Sequence, residues 1–263
     1  MKQEINQENP SCLNLEIQAI TYAGSKDFVH LYLEPPEWGY RPGQFVMIRP
    51  AGWDNDPIWP RPFSICEKTR DSLRLFIQVV GRGTRLISQL QPGSPVDLWG
   101  PLGKGFMFDP QVPLLVLAGG MGIAPFVGLC KTHPHPERIS LLFGHRLNIG
   151  HYPLAELPDE ADISHLKQET MSDIEDFKGV LKTSIRDFSG TGRILACGPM
   201  PFLKVIQKYS LEFRADTWMS LENRMACGVG ACLGCVVKTA DGEYNQTCTH
   251  GPVFRADDVF LDE

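Results

Sequence analysis

The sequence lacks several patterns that would indicate other classes of function. It has no Lys- or Arg-rich run, and a formal charge of −6 argues against nucleic acid as the main partner. The seven histidines form no H-E-x-x-H pattern, and no G-x-S-x-G segment is present, so neither a zinc protease nor a serine hydrolase is predicted. Internal repeats and low-complexity segments are absent as well.

Targeting and membrane-spanning signals are also missing. The N-terminal segment MKQEINQENPSC is polar and lacks the apolar core of a signal peptide. The one long apolar run, at 112–130, has Gly119, Gly120, Gly122 and Pro125 at its centre, and these residues would break a spanning helix. We therefore expect a buried strand, a glycine loop and a buried helix in this run, and a cytoplasmic protein with no membrane span.

The eight cysteines fall into two groups. Four are dispersed and are predicted to be reduced and buried, because the chain shows no export signal: Cys12, Cys66, Cys130 and Cys197. The other four are crowded, with a C-x4-C-x2-C spacing and a fourth thiol after twelve more residues: Cys227, Cys232, Cys235 and Cys248. This spacing is typical of plant-type [2Fe-2S] ligation. A four-thiolate zinc site is the alternative, but structural zinc usually uses two C-x2-C pairs and only one occurs here.

The hydrophobic pattern divides the chain into three parts. Residues 1–108 contain six short alternating runs separated by Gly and Pro, which predict an antiparallel β-barrel with one helical stretch, TRLISQL. Residues 109–215 alternate apolar strands, such as VPLLVLAG and RISLLFGH, with helical segments, which predicts a parallel sheet covered on both faces. Residues 216–263 carry the crowded cysteines and are predicted to be a metal module. The expected fold class is mixed β and α/β.

Two motifs in the barrel region have residue types that suit a flavin dinucleotide. In RPFSIC, an Arg can pair with a phosphate, an aromatic side chain can contact a flat ring, and a Ser hydroxyl can reach a ring nitrogen. In GRGTRLISQL, a strand leads through glycines into a helix whose first N–H groups can face an anion. Each has a structural alternative: an ordinary strand with a surface Arg, and a glycine turn with Thr84 as the helix N-cap.

Two further motifs lie in the α/β region. LAGGMGIAPF is a second strand, glycine loop and helix, although it does not match G-x-G-x-x-G. CGPMPF ends another strand of the same predicted sheet, at the edge where open α/β sheets bind ligands. Together they predict a second dinucleotide site.

Taken in order, RPFS, GRGT, GGMGIAP, CGPMPF and the cysteine segment resemble the ferredoxin–NADP reductase superfamily of flavin reductases. The run SLENRMACGVGACLGC and the ending THGPVF make the chain more similar to the electron-transfer subunits of class 1B dihydroorotate dehydrogenase, the PyrK family. The resemblance covers nearly the whole chain.

This resemblance implies three cofactor sites. For FAD, it implies an N-terminal flavin-binding barrel with Arg61, Pro62, Phe63, Ser64, Phe76, Ile77, Gln78, Gly83 and Thr84. For NAD, it implies Gly119, Gly120, Gly122, Cys197, Gly198 and Pro199. For a [2Fe-2S] cluster, it implies Cys227, Cys232, Cys235 and Cys248. No catalytic residue is assigned.

The implied function is electron transfer from dihydroorotate, oxidised by an FMN-containing catalytic partner, through the cluster and FAD to NAD⁺ in pyrimidine (UMP) biosynthesis. The implied complex contains two copies of each subunit. Reductase subunits of ferredoxin:NADP oxidoreductase or sulfide dehydrogenase type are alternatives, although those relatives often have Asp where this chain has Cys227. A redox sensor without turnover is a third possibility. Arg146 leaves the choice of NADP open, because it could meet a 2′-phosphate, stack on adenine or face water.

Overall fold

The computed structural model describes residues 10–53 and 56–261. Its first part is a closed barrel with the strand order β1-β2-β5-β4-β3-β6, in which every neighbouring pair is antiparallel. The strands are β1 Ser11–Tyr22, β2 Phe28–Leu33, β3 Phe45–Pro50, β4 Arg61–Lys68, β5 Leu73–Gln78 and β6 Pro95–Leu102, and helix α1 is Arg82–Ser88. The predicted barrel and its single helix are confirmed.

The barrel forms because its strands alternate apolar and polar residues with period two. In β5, Leu73, Leu75 and Ile77 point into the barrel and are at most 1% exposed. They pack with inward residues of the neighbouring strands, including Leu31 and Ile65. The alternate residues of β5 face outward, toward the rest of the chain.

The second part is a six-stranded sheet with the order β14-β11-β10-β7-β8-β9. Its parallel strands are β7 Leu114–Gly119, β8 Ile139–His145, β9 Asp162–Lys167, β10 Arg193–Cys197 and β11 Thr217–Ser220. Helix α2, Ala124–Thr132, covers one face, and helices α3, Met171–Phe188, and α4, Met200–Phe213, cover the other. Four 3₁₀ turns complete it: Gly120–Ile123, Pro136–Arg138, Ile149–His151 and Pro153–Glu156. The predicted parallel-sheet domain is confirmed.

The apolar run at 112–130 consists of β7, the 3₁₀ turn and α2, as the sequence predicts. Within the described ranges, no helix is both long and apolar enough to cross a membrane.

The last part of the chain contributes to two sheets. Strands β12 Val236–Thr239, β13 Tyr244–Gln246 and β15 Val259–Phe260 form a small antiparallel sheet beside the cysteines. Strand β14, Val253–Arg255, instead pairs antiparallel with β11 and becomes an edge of the six-stranded sheet. The division at 215/216 remains a prediction, since the six-stranded sheet continues through β11 and β14.

Candidate sites for two nucleotides and a metal cluster

The start of β4 and the start of α1 meet outside the barrel. The guanidinium of Arg61 lies against Gly83, where an added Cβ would be 2.6 Å from Nε of Arg61. The same guanidinium donates a hydrogen bond from Nη1 to the Trp59 carbonyl (2.8 Å) and lies 5.7 Å from the ring centre of Trp53. A positive side chain and the free N–H groups of a helix's first turn therefore converge here, which is the chemistry a pyrophosphate requires.

Thr84 has a different place in this loop from the N-cap that the structural alternative predicted. Gly81 is the N-cap of α1, and Thr84 is the third helical residue. Its hydroxyl accepts the backbone N–H groups of Val80 and Gly81 (both 3.0 Å) and donates to the Gly81 carbonyl (3.0 Å). The hydroxyl thus fixes the loop through its bonds to the backbone of Val80 and Gly81.

Other predicted flavin residues differ in how much side chain they present. Pro62, Phe63 and Ser64 are half-buried along β4. Phe76 and Ile77 are 3% and 1% exposed, and their side chains pack in two different hydrophobic cores. Gln78, the third predicted residue on β5, lines a cavity.

That cavity, the nucleotide cavity, has a volume of about 470 Å³ and opens at the carboxyl ends of the parallel strands. Its wall includes three residues that the sequence predicted for the dinucleotide: Gly119, Gly120 and Pro199. Gln78 from the barrel reaches the same cavity. The predicted flavin region and the predicted nicotinamide region are therefore adjacent.

Gly122 explains how the two glycine motifs come together. A Cβ at Gly122 would lie 2.1 Å from the carbonyl oxygen of Cys197, so only glycine allows this approach. A Cβ at Gly198 would likewise lie 3.2 Å from the Cα of Gly119. Gly122, Cys197 and Gly198 shape the floor beneath the cavity, and burial raises the pKa of the Cys197 thiol to about 12.

Several cavity residues were not among the predicted site residues. They come from the end of β8, the connections after β8 and β9, and helices α3 and α4: His145, Leu147, Tyr152, Gln168, Ile174, Phe177, Lys178, Phe202 and Val205. Arg146, which the sequence left open between three roles, also lines the cavity. The rule that ligands bind at the carboxyl ends of parallel strands points to the residues directly after β8, whereas the helix residues carry no local signal.

The four crowded cysteines lie as two pairs at one end of the barrel. The Sγ atoms of Cys227 and Cys232 are 3.3 Å apart, and the Cys232 N–H points at the Cys227 sulfur (3.4 Å). Cys235 and Cys248 are buried, and the Gly230 N–H donates to the Cys248 sulfur at 3.1 Å. Within residues 10–53 and 56–261, no three ligand-type side chains are already arranged around one point.

The donor chemistry of this cysteine loop (227–235 with Cys248) nevertheless fits a thiolate-ligated cluster. Burial opposes the Cys227 thiolate, yet hydrogen bonds from the N–H groups of Val229, Cys232 and Ala231 lower its pKa to about 7. Gly228 and Gly230 have φ values of +72° and +81°, which turn the backbone so that N–H groups face sulfur. Such N–H groups stabilise the negative charge that cluster ligands carry.

The cysteine loop packs directly on the barrel. Cys235 and Cys248 share an apolar cluster with Phe45 and Met47 of β3 and Leu102 of β6. In the barrel, Phe45 pairs with Ser64 and Met47 pairs with Pro62. The two buried thiols are thus one strand away from the predicted flavin residues of β4, a spacing of about 5 Å between strands.

Comparison with known proteins agrees with this geometry. The iron–sulfur cluster binding domain of dihydroorotate dehydrogenase B matches residues 222–260. The dihydroorotate dehydrogenase B (NAD(+)) electron transfer subunit of Listeria monocytogenes is 35% identical over 234 residues, which cover 85% of this chain and 89% of that protein. The electron transfer subunit homolog of Aquifex aeolicus is 32% identical over 253 residues, or 95% and 98% of the two chains. This chain belongs to that family.

A solved structure supports the fold of this dihydroorotate dehydrogenase B electron transfer subunit family member. An NADH-dependent reduced ferredoxin-NADP oxidoreductase superposes with a TM-score of 0.78 at 23% identity, over 94% of this chain and 90% of that one. Membership of this family makes the chain an electron-transferring oxidoreductase subunit. Its reductase-like fold and iron–sulfur domain agree with what the sequence predicted.

Proposed function

We propose that this chain carries electrons between an FMN-containing catalytic subunit that oxidises dihydroorotate and NAD⁺, using a [2Fe-2S] cluster and FAD. The family relatives are named as electron transfer subunits of dihydroorotate dehydrogenase B (NAD(+)). The observation that carries the proposal is the order of sites in space. The cysteine loop packs on β3, β3 pairs with the flavin residues of β4, and Gln78 of β5 opens into the nucleotide cavity.

Most of the predicted site residues then have a stated task. Arg61 and the first turn of α1, with Gly83, would hold the FAD pyrophosphate, while Pro62, Phe63 and Ser64 line the flavin. Gly119, Gly120 and Pro199 would hold NAD, on the floor that Gly122, Cys197 and Gly198 shape. The four cysteines would ligate the cluster. When bound, FAD supplies the conversion between two-electron exchange with nicotinamide and one-electron exchange with the cluster.

The partner would approach the outer side of the cysteine loop. Cys232 is exposed there, and the neighbouring Val229 and Leu233 are 49% and 59% exposed. Cys235 and Cys248 lie on the inner side, against the barrel. This arrangement gives the cluster one face toward a partner and one toward the flavin, which a one-electron relay requires. We propose a complex with two copies of each subunit, in the cytoplasm.

The purified protein provides the first test. We expect absorbance from both flavin and an iron–sulfur cluster, with bleaching on addition of NADH. Cys232→Ala should lose the cluster signal and electron transfer to the dihydroorotate-oxidising subunit, while NADH-dependent dye reduction through FAD continues. Cys12→Ala is the matched control and should retain both; its thiol lies on β1 and is exposed, contrary to the burial that the sequence predicted. A colourless protein that contains zinc would refute the proposal.

A further inference from the structure

The outer face of β5 carries three side chains that all reach the predicted parallel-sheet domain (109–215), termed the nucleotide domain. Because strand residues alternate, Arg74, Phe76 and Gln78 share this face. Arg74 bonds to Glu156, the Phe76 ring lies 6.5 Å from that of Tyr152, and Gln78 lines the nucleotide cavity. One strand thus joins an ion pair, an aromatic contact and the site itself.

The ion pair is geometrically well defined and is buried on its arginine side. The Arg74 guanidinium binds both carboxylate oxygens of Glu156, with Nη1–Oε2 at 2.5 Å and Nη2–Oε1 at 2.7 Å. Its Nε donates to Nδ1 of His30 at 3.2 Å. The Arg74 side chain is only 4% exposed and that of Glu156 is 40% exposed. A bidentate pair fixes orientation as well as distance, so it constrains how the Glu156 carboxylate lies against β5.

Lys131 of helix α2 adds a second ion pair to the same network. Nζ of Lys131 lies 2.6 Å from Oε1 of Glu67, and Glu67 Oε2 lies 3.6 Å from Nη1 of Arg74. Glu67 is on β4, the strand that begins with the predicted flavin residues. The network therefore ties both flavin-side strands to the nucleotide domain.

The partner Glu156 lies on a segment that also builds the cavity. Residues 149–157 place Tyr152 in the cavity wall, with its ring against Phe28 of β2 at 5.5 Å. His151 stacks on the same Phe28 at 4.9 Å and bonds to the Ala23 carbonyl at 3.0 Å. Each residue of the pair thus lies four positions along the chain from a residue that lines the cavity. Arg74 precedes Gln78, and Glu156 follows Tyr152.

We propose that the Arg74–Glu156 pair positions the nicotinamide end of the cavity against the flavin residues of the barrel. The inference rests on the proposed function, since it concerns transfer between NAD and FAD. Neither residue touches the cavity, so both are positioning residues. Small errors in the placement of two reacting groups lower the rate more than the affinity, because binding uses many contacts and transfer needs one geometry.

The test uses the FAD-loaded subunit and the variants Glu156→Gln, Arg74→Met and Arg74→Lys. Stopped-flow reduction of the flavin at saturating NADH should slow at least about tenfold in Glu156→Gln and Arg74→Met. NAD⁺ affinity, measured by titration, should change less than about threefold, and Arg74→Lys should restore part of the rate. Asp187→Asn, which breaks an exposed ion pair with Arg186 on α3, is the control and should behave as wild type.

A second readout does not depend on turnover. Without NAD, hydrogen exchange should rise in residues 149–157 of Glu156→Gln and stay unchanged in Asp187→Asn. If Arg74→Met fails to fold, the milder Glu156→Gln decides the question. Flavin reduction at the wild-type rate in a folded Glu156→Gln protein, or an equal loss of rate and affinity, would overturn the inference. A wild-type protein that NADH cannot reduce would instead overturn the proposed function.

Discussion

The buried imidazole of His30 should make the stability of this protein depend on pH. His30 is 6% exposed, stacks on Phe76 at 4.7 Å and accepts the Nε hydrogen of Arg74 through Nδ1. Burial, together with the positive charge of Arg74, lowers its pKa from 6.5 to about 4. The folded protein therefore keeps this ring neutral at pH values where the unfolded chain would protonate it.

The sign and size follow from proton linkage. Because the folded-state pKa is the lower one, stability is fully present above pH 6.5 and is lost as pH falls toward 4. Between pH 8 and pH 5 the loss should reach roughly 2 kcal/mol, at 1.36 kcal/mol for each unit of difference in bound protons. Glu156 does not interfere in this range, since its hydrogen bonds with Arg74 hold its pKa below the usual value.

Urea unfolding of wild type and His30→Asn at several pH values between 5 and 8 measures this effect. The Asn side-chain oxygen can still accept from Arg74 but cannot titrate, so its stability curve should be flatter by roughly 2 kcal/mol across the range. If the two curves are parallel over the whole range, the constant offset between them reflects only lost packing, and that result would refute the reasoning.

Three further substitutions test close contacts. Gly128→Ala should destabilise the fold by about 1–3 kcal/mol, because its Cβ would lie 2.3 Å from the Tyr40 hydroxyl; Tyr40→Phe should recover part of the loss in thermal unfolding, and no recovery would contradict the contact. Gly122→Ala should cost at least about 3 kcal/mol, because the Cys197 carbonyl cannot move aside as a side chain can; denaturant unfolding at wild-type stability would argue against that packing. Thr84→Val should cost about 1 kcal/mol and weaken FAD retention, whereas Thr84→Ser should retain both; equal FAD loss in both variants would exclude the hydroxyl's role.

The fold was predictable where the pattern of one segment determines its structure. The six barrel strands and helix α1 follow from alternation and turn residues, and β7, β8 and β10 follow from continuous apolar runs. Strand β9 at residues 162–167 is harder to predict from the sequence, because an edge strand needs little apolar surface. All six of its residues are exposed or half-buried. Strand β14 could not be found locally, since its three residues join the sheet by antiparallel pairing with β11, more than thirty residues earlier.

The site shows the same division between local and distant information. Cysteine spacing and glycine loops are local, and they identified the loops that line the nucleotide cavity and the paired thiols. Side chains such as Phe177 and Val205, which close the cavity from helices α3 and α4, look like ordinary core residues in sequence. The flavin contact that the resemblance implies for Phe76 and Ile77 stays a prediction, and their side chains lie in the two core clusters.

The relation between the sites depends on residues with no motif at all. Arg74 and Glu156 are 82 residues apart, and each would pass for a surface charge in its own segment. The strand period nevertheless places Arg74 on the same face as Gln78, because Leu73, Leu75 and Ile77 must fill the barrel. Burying one face of β5 thus puts Arg74, Phe76 and Gln78 together on the other face, which contacts the nucleotide domain in this structure. A buried charge on that face needs a partner, and Glu156 provides it without belonging to any nucleotide-binding pattern.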